Sequence, residues 1–187
     1  IIATELGAVE AHHAGPSKLY ELDKQGILFH DILFAPFFAG AAGSGHCWHW
    51  NVYLERNDLW YHIGRFSRAI AGVNPITERF EPSFEQQENV RVYGLTGKTT
   101  TLIWVRDSVF DWKKELIENQ PAIERKNLTV KWPGLNAEGV KGKTKATVSV
   151  YDPWTDKTET LSADCVSESA VVLPRFCRSE VIRIQNE

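Results

Sequence analysis

Near residue 90 the spacing of the apolar side chains changes, and this constrains the fold more than any other feature of the chain. Between Leu22 and Ala42 the residues Ile27, Leu28, Ile32, Leu33, Phe34, Phe37 and Phe38 recur at helical spacing. From Val90 onward the apolar residues alternate with polar ones in short runs separated by turn formers. A helical period followed by a period of two predicts an α/β segment joined to an all-β one.

Within the first segment, Ile1 to Leu6 reads as a strand and Ala8 to Glu21 as a loop. The helix over 22–42 has Asp23 as a candidate N-cap, Pro36 as a kink or division, and Gly40 and Gly43 at its end. Ser44 to Trp50 reads as a second strand. Asn57 or Asp58 would then cap a helix through Leu59, Ile63, Phe66 and Ile70 to Gly72. Strand, helix, strand, helix with short connections predicts parallel strands with the helices outside. Two parallel strands cannot bury both faces alone. Residues 1–75 are therefore expected to be the last two β/α units of a (β/α)8 barrel whose remainder is supplied elsewhere.

Residues 76–89 are polar, hold Pro82, and read as a linker. Residues 90–187 predict an antiparallel β-sandwich. Its hairpin would join Val90–Leu95 to Thr99–Arg106 through Gly97-Lys98, with further strands at 128–132, 145–151, 159–161, 170–173 and 181–184. Asp111–Glu118 suggests one or two helical turns, and Asp152-Pro153-Trp154-Thr155-Asp156 a tight turn.

A net charge of -3 offers no electrostatic footprint for nucleic acid. No apolar run reaches the roughly 20 residues of a membrane span. Cys47, Cys165 and Cys177 are too few for a disulfide framework or a zinc site, although Cys165 and Cys177 would pair if their strands were neighbours.

By alternation Ile1, Ala3 and Glu5 share one face of the first strand, with Glu5 at the carboxyl end where barrel enzymes place their chemistry. On the second strand His46, Trp48 and Trp50 share a face, with Trp50 at the tip. His12, His13 and His49 lie on the same rim. As metal ligands His12, His13, His46 and His49 lack an i,i+4 pair and a carboxylate partner, so no metal is expected. Among the other tryptophans Trp104 reads as core, and Trp154, in its turn, as the best exposed candidate for a sugar platform.

Thr4-Glu5-Leu6-Gly7 resembles the strand-seven nucleophile motif of the retaining glycoside hydrolases built on (β/α)8 barrels. Phe34 to Gly43, followed by Trp48-His49-Trp50-Asn51-Val52-Tyr53, is similar to the helix-seven to strand-eight region of their cellulase-like members. Tyr151 to Asp156, with Val172-Leu173-Pro174 downstream, resembles an appended β-sandwich of the type labelled a collagen-binding domain. The resemblance implies that Glu5 is the nucleophile of a double displacement on a β-linked oligo- or polysaccharide, without a cofactor. It implies that Trp50, or Trp48 in its place, stacks beneath the sugar, with His49, His12 and His13 at the substrate rim. The acid/base would come from strand four of the barrel, which residues 1–187 do not supply; Glu10 is the nearest carboxylate, in a loop. By the same analogy the site of action is secreted or periplasmic. The alternative is a carbohydrate-binding or structural sandwich on a degenerate barrel.

Overall fold

The computed structural model of the chain describes residues 1–3, 5–132, 147–162, 165–167 and 170–185. Its helices are α1 (Leu19–Leu22), α2 (Ile27–Phe38), α3 (Trp50–Tyr53), α4 (Tyr61–Ala69) and α5 (Pro75–Glu78). The strands follow as β1 (Glu81–Gln86), β2 (Val90–Thr96), β3 (Thr100–Asp107), β4 (Arg125–Lys131), β5 (Thr147–Asp152), β6 (Lys157–Thr160), β7 (Ala170–Phe176) and β8 (Ser179–Gln185). Six strands form one antiparallel sheet in the order β1-β2-β3-β8-β5-β6, and β4 pairs with β7 in a separate ribbon.

Strand alternation explains the layering. Ile103 and Val105 of β3, Val90 and Val92 of β2, Val148 and Val150 of β5, and Ile182 and Ile184 of β8 join Val130, Trp132, Val171, Leu173 and Phe176 of the ribbon side in one core. The intervening residues Leu102, Trp104, Leu95, Tyr151 and Val181 join Phe34, Phe37, Phe38 and Phe66 of the helices in another. The sheet thus has a ribbon on one face and helices on the other, which is why β3 is buried nearly end to end. Trp104 is 2% exposed and packs against His30, Phe34, Phe38 and Tyr93. An aromatic of its size removes roughly 150–250 Å² from water, about 4–6 kcal/mol of driving force. Gly94 is required on the opposite face, because a side chain there would occupy the Trp132 indole.

The strands and turns expected beyond residue 90 all form, with ends shifted by a few residues; positions 145–146 lie outside the described residues. The hairpin pairs Thr96 with Thr101. The helical turns after Asp111 are a π-helix over Lys113–Ile117. Residues 76–89, read as a linker, instead supply most of α5 and edge strand β1, with Pro82 against Gly40. Pro is tolerated there because an edge strand need not donate on both sides. Cys165 and Cys177 are free thiols.

The amino-terminal segment departs further from expectation. Two parallel strands were expected, and among the described residues a single parallel bridge, Leu6 to Cys47, forms instead. No further bridge extends this pairing among the described residues, although the Ala42 N–H donates to the Ile1 carbonyl at 2.8 Å; Ile1 is fully exposed and Ile2 is 74% exposed. The second strand also ends early, because the chain turns at Trp48 and His49 and Trp50 opens α3. Neither Asn57 nor Asp58 caps α4; Asn57 bonds to Lys24 and to the Tyr20 carbonyl.

Asp23 does close the start of α2. Its carboxylate accepts from the N–H of Ile27 at 2.9 Å and of Leu28 at 2.8 Å, and from the Tyr53 hydroxyl. Pro36 neither divides nor ends the helix. It has no N–H for the Ile32 carbonyl, and the Gly45 N–H fills that vacancy at 3.1 Å. The helix ends in a Schellman arrangement, with Gly40 at φ +89° and the Ala41 N–H on the Pro36 carbonyl.

Buried ionic and polar contacts join helices to sheet. Arg106 of β3 pairs with Asp31 of α2 at 2.9 Å. His30 of α2 meets the Ser179 hydroxyl of β8 at 2.8 Å, and the Trp154 indole N–H donates to that hydroxyl at 3.0 Å. His62, fully buried on α4, reaches the Gln25 carbonyl at 2.8 Å. Burial pushes both imidazoles down, His62 to about 4.

Two consequences are measurable. A Cβ at Gly45 would overlap the Ile32 carbonyl and Leu6, whereas one at Gly43 meets nothing. Gly45→Ala should therefore cost about 1–3 kcal/mol and lower the melting temperature by several degrees, while Gly43→Ala leaves it unchanged; equal melting of the two variants would refute the close-approach argument. His62 stays neutral in the fold below its ordinary 6.5, so its contribution is present above pH 6.5 and lost as pH falls to about 4. The stability difference between wild type and His62→Gln should shrink by about 3 kcal/mol across that window; a pH-independent difference would show that His62 is not held neutral.

Candidate functional site

The site forms where the bridge between Leu6 and Cys47 brings two loops together. The Leu6 N–H donates to the His46 carbonyl at 2.7 Å, and the Trp48 N–H to the Leu6 carbonyl at 3.0 Å. This pairing sets Glu5, Leu6 and Gly7 beside Trp48 and His49. With Val9 and Gly15 they line an open cavity of about 410 Å³.

Each neighbour is fixed by a local constraint. Gly7 has φ +146° and lies against the Tyr20 hydroxyl, so no larger residue fits. That hydroxyl accepts from the Ala8 N–H at 2.7 Å, and the Tyr20 ring stacks on Tyr53 at 4.2 Å. Burial pushes the Tyr20 hydroxyl up to about 12, so it remains a neutral phenol at any ordinary pH. Tyr53 in turn donates to Asp23, which holds α2. Cys47, buried beneath the bridge, is likewise pushed up by burial and stays a thiol. Tyr20, Tyr53 and Asp23 are thus engaged with one another or with backbone, and Cys47 is buried. They form a rigid bed beneath the two loops.

Glu5 is exposed, and among the described residues it is the only carboxyl group in the lining. Glu10 is occupied elsewhere, accepting from the Lys18 N–H at 2.8 Å to pin the loop. Trp48, 59% exposed, offers an open indole face beside Glu5. His49 lines the same cavity, and its Nδ1 is buried without a partner among the described residues.

The remaining expected site residues are not brought in. Trp50 is 52% exposed on α3, tilted against Trp60, and lies outside the lining. The turn at Trp48 and His49 breaks the alternation that would have aligned Trp50 with Trp48. His12 is exposed in a 3-10 turn at φ +57°, also outside the lining. Thr4 and the side chain of His13 lie outside the described residues. Trp154 is not an exposed platform. It folds back under the helices against His30 and His62, with Arg178 over its ring at 4.6 Å.

Tyr20, Tyr53 and Asp23 support this site; sequence reasoning read Asp23 only as a helix cap and gave Tyr20 and Tyr53 no supporting role. Nothing in their spacing links the three to one another, because Tyr53 lies 30 positions from Asp23 and stacks on Tyr20 across the fold. No protein-family model matches the chain, and no curated protein is detectably similar to it.

Proposed function

We propose that residues 1–75 act as the closing part of a retaining glycoside hydrolase of the (β/α)8-barrel type, with Glu5 the nucleophile toward a β-linked glycan. The observation that carries this reading is the juxtaposition of one exposed carboxylate with one exposed indole at the end of a parallel pairing. A sugar stacked on Trp48 would present its anomeric carbon toward Glu5, and His49 would reach a ring hydroxyl. Trp48 thereby takes the role first expected of Trp50.

A retaining mechanism needs a second carboxyl group about 5–5.5 Å from the first, to protonate the leaving oxygen and then activate water. The lining has none among the described residues. The acid/base is accordingly assigned to the remainder of the barrel, on the same or another polypeptide. Two uncovered apolar surfaces favour such a partner. One is the exposed pair Ile1 and Ile2. The other is a cavity of about 660 Å³ lined by Leu6, Ile32, Ala35, Pro36, Ala39 and Trp112.

The absence of a second carboxyl group from that lining also favours a different reading, in which the chain binds glycan without cleaving it. Trp48 and Glu5 would serve both readings, and the experiments separate them. In affinity gel electrophoresis of the chain on a soluble β-glucan, Trp48→Ala should weaken retention about tenfold, and Trp154→Ala should not. Unchanged mobility of Trp48→Ala would remove the sugar site from this cavity. In the assembly that carries the acid/base, Glu5→Gln should lower turnover about 10³-fold or more while leaving the melting temperature unchanged. Undiminished turnover would end the nucleophile assignment and leave the binding reading.

A further inference from the structure

Between the two sheets, beside the turn from β5 to β6, lies a third cavity, of about 230 Å³. Alternation along β8 puts Glu180 on the face of Ile182 and Ile184, toward the ribbon, opposite Val105 of β3. Glu180 lines the cavity, is only 6% exposed, and its Oε2 is buried with no hydrogen-bond partner among the described residues. Nearly all buried polar groups have a partner, and a carboxyl group left without one is costly. An inward-facing acid on a strand that otherwise buries isoleucine therefore points to a ligand.

The chemistry of the lining selects the ligand. The charged and titratable groups facing Glu180 are Asp152 of β5, Lys157 and Glu159 of β6, Arg175 of β7, Cys177 after it, and Glu124 before β4. Arg175 is committed to Glu124 at 2.7 Å. Asp152 is committed to its own turn, accepting from the N–H groups of Trp154 and Thr155. Backbone N–H donors leave the Asp152 charge in place, so Asp152 and Glu159 face Lys157 and the wall carries negative charge in excess even with Glu180 protonated. No three His, Cys, Asp or Glu side chains converge as metal ligands among the described residues, which favours an organic cation. The rest of the wall, with Val150, Leu161, Pro174 and Phe176, is apolar. The volume is below the range for drug-sized ligands and suits one group the size of a lysine or arginine side chain.

We propose that this cavity binds a primary ammonium or guanidinium group on a short apolar stem, its charged head at Glu180 and its stem against Phe176, Pro174 and Val150. The site is separate from the Glu5 cavity and does not depend on the glycosidase reading. Burial, reinforced by Asp152 and Glu159, pushes the Glu180 carboxyl up to about 8. The empty site is thus largely protonated at neutral pH, and an entering cation favours the carboxylate and releases a proton.

Calorimetric titration of the full chain with n-butylammonium tests this at pH 6.5 and 8.0, in buffers of different ionisation heat. The expected result is saturable binding with proton release, about tenfold tighter at pH 8.0, and lost in Glu180→Gln. Absence of saturable binding, equal affinity in a folded Glu180→Gln, or equal binding of n-butanol would overturn the proposal. Should Glu180→Gln fail to fold, carbon NMR of the wild-type carboxyl groups decides. The Glu180 midpoint should fall when n-butylammonium is added, and an unchanged midpoint would overturn the proposal.

Discussion

Burial of both faces of β3 is the constraint on which the rest of the structure depends. Trp104 on one face touches His30, Phe34 and Phe38 of α2. Ile103 and Val105 on the other join the core beneath the β4–β7 ribbon. Antiparallel sheets often leave one face to solvent; this one cannot, because apolar residues occupy both sets of alternate positions. The helical segment therefore packs on the sheet as a layer. Its helices find partners in the sheet even though the parallel pairing beside them is reduced to one bridge.

The candidate site depends on a smaller chain of consequences that starts at Pro36. A proline inside α2 leaves the Ile32 carbonyl without its helical donor, and the Gly45 N–H takes its place. Only glycine approaches that closely. The contact holds the segment after Gly45 against the helix, so that Cys47 and its neighbours meet Leu6. Tyr20 and Gly7 then fix the other loop from below. Glu5 and Trp48 are neighbours because of backbone bonds and close approaches, with no direct attraction required between them.

Electrostatics divides the molecule into two kinds of buried polar group. Arg106 with Asp31, Arg178 with Glu115 and Asp107 with Arg125 are paired charges that register helices, loops and strands. Removing one partner of such a pair is costly because the other stays buried. His30, His62 and Glu180 are instead kept neutral by burial. The histidines do this within the helix–sheet junction, each with Nε2 on a hydroxyl or carbonyl and Nδ1 unpartnered among the described residues. Glu180 does so with its unpartnered oxygen beside an open cavity, and the cavity is what distinguishes it from a group serving packing alone.

Sequence periodicity by itself determined the elements after residue 90, because an alternating strand declares its own two faces and Gly-Lys or Asp-Pro turns punctuate it locally. It also determined that α2 exists, though its ends fall at Ile27 and Phe38 inside the expected 22–42, and it gave the Asp23 closure and the core position of Trp104. Glu180 lay outside the strand expected at 181–184, so its place on the face of Ile182 and Ile184 came from the structure, as did its lack of a partner. Only the tertiary structure decided that residues 81–86 pair as an edge strand, since a polar, proline-containing stretch has no apolar period to announce it. Tertiary contact likewise decided that the amino-terminal strands shrink to one bridge, that Trp48 instead of Trp50 stands beside Glu5, and that Trp154 turns inward. Each of these depends on whether a neighbour is present to complete a ladder or to bury a ring, and a period along the chain holds no information about neighbours across space.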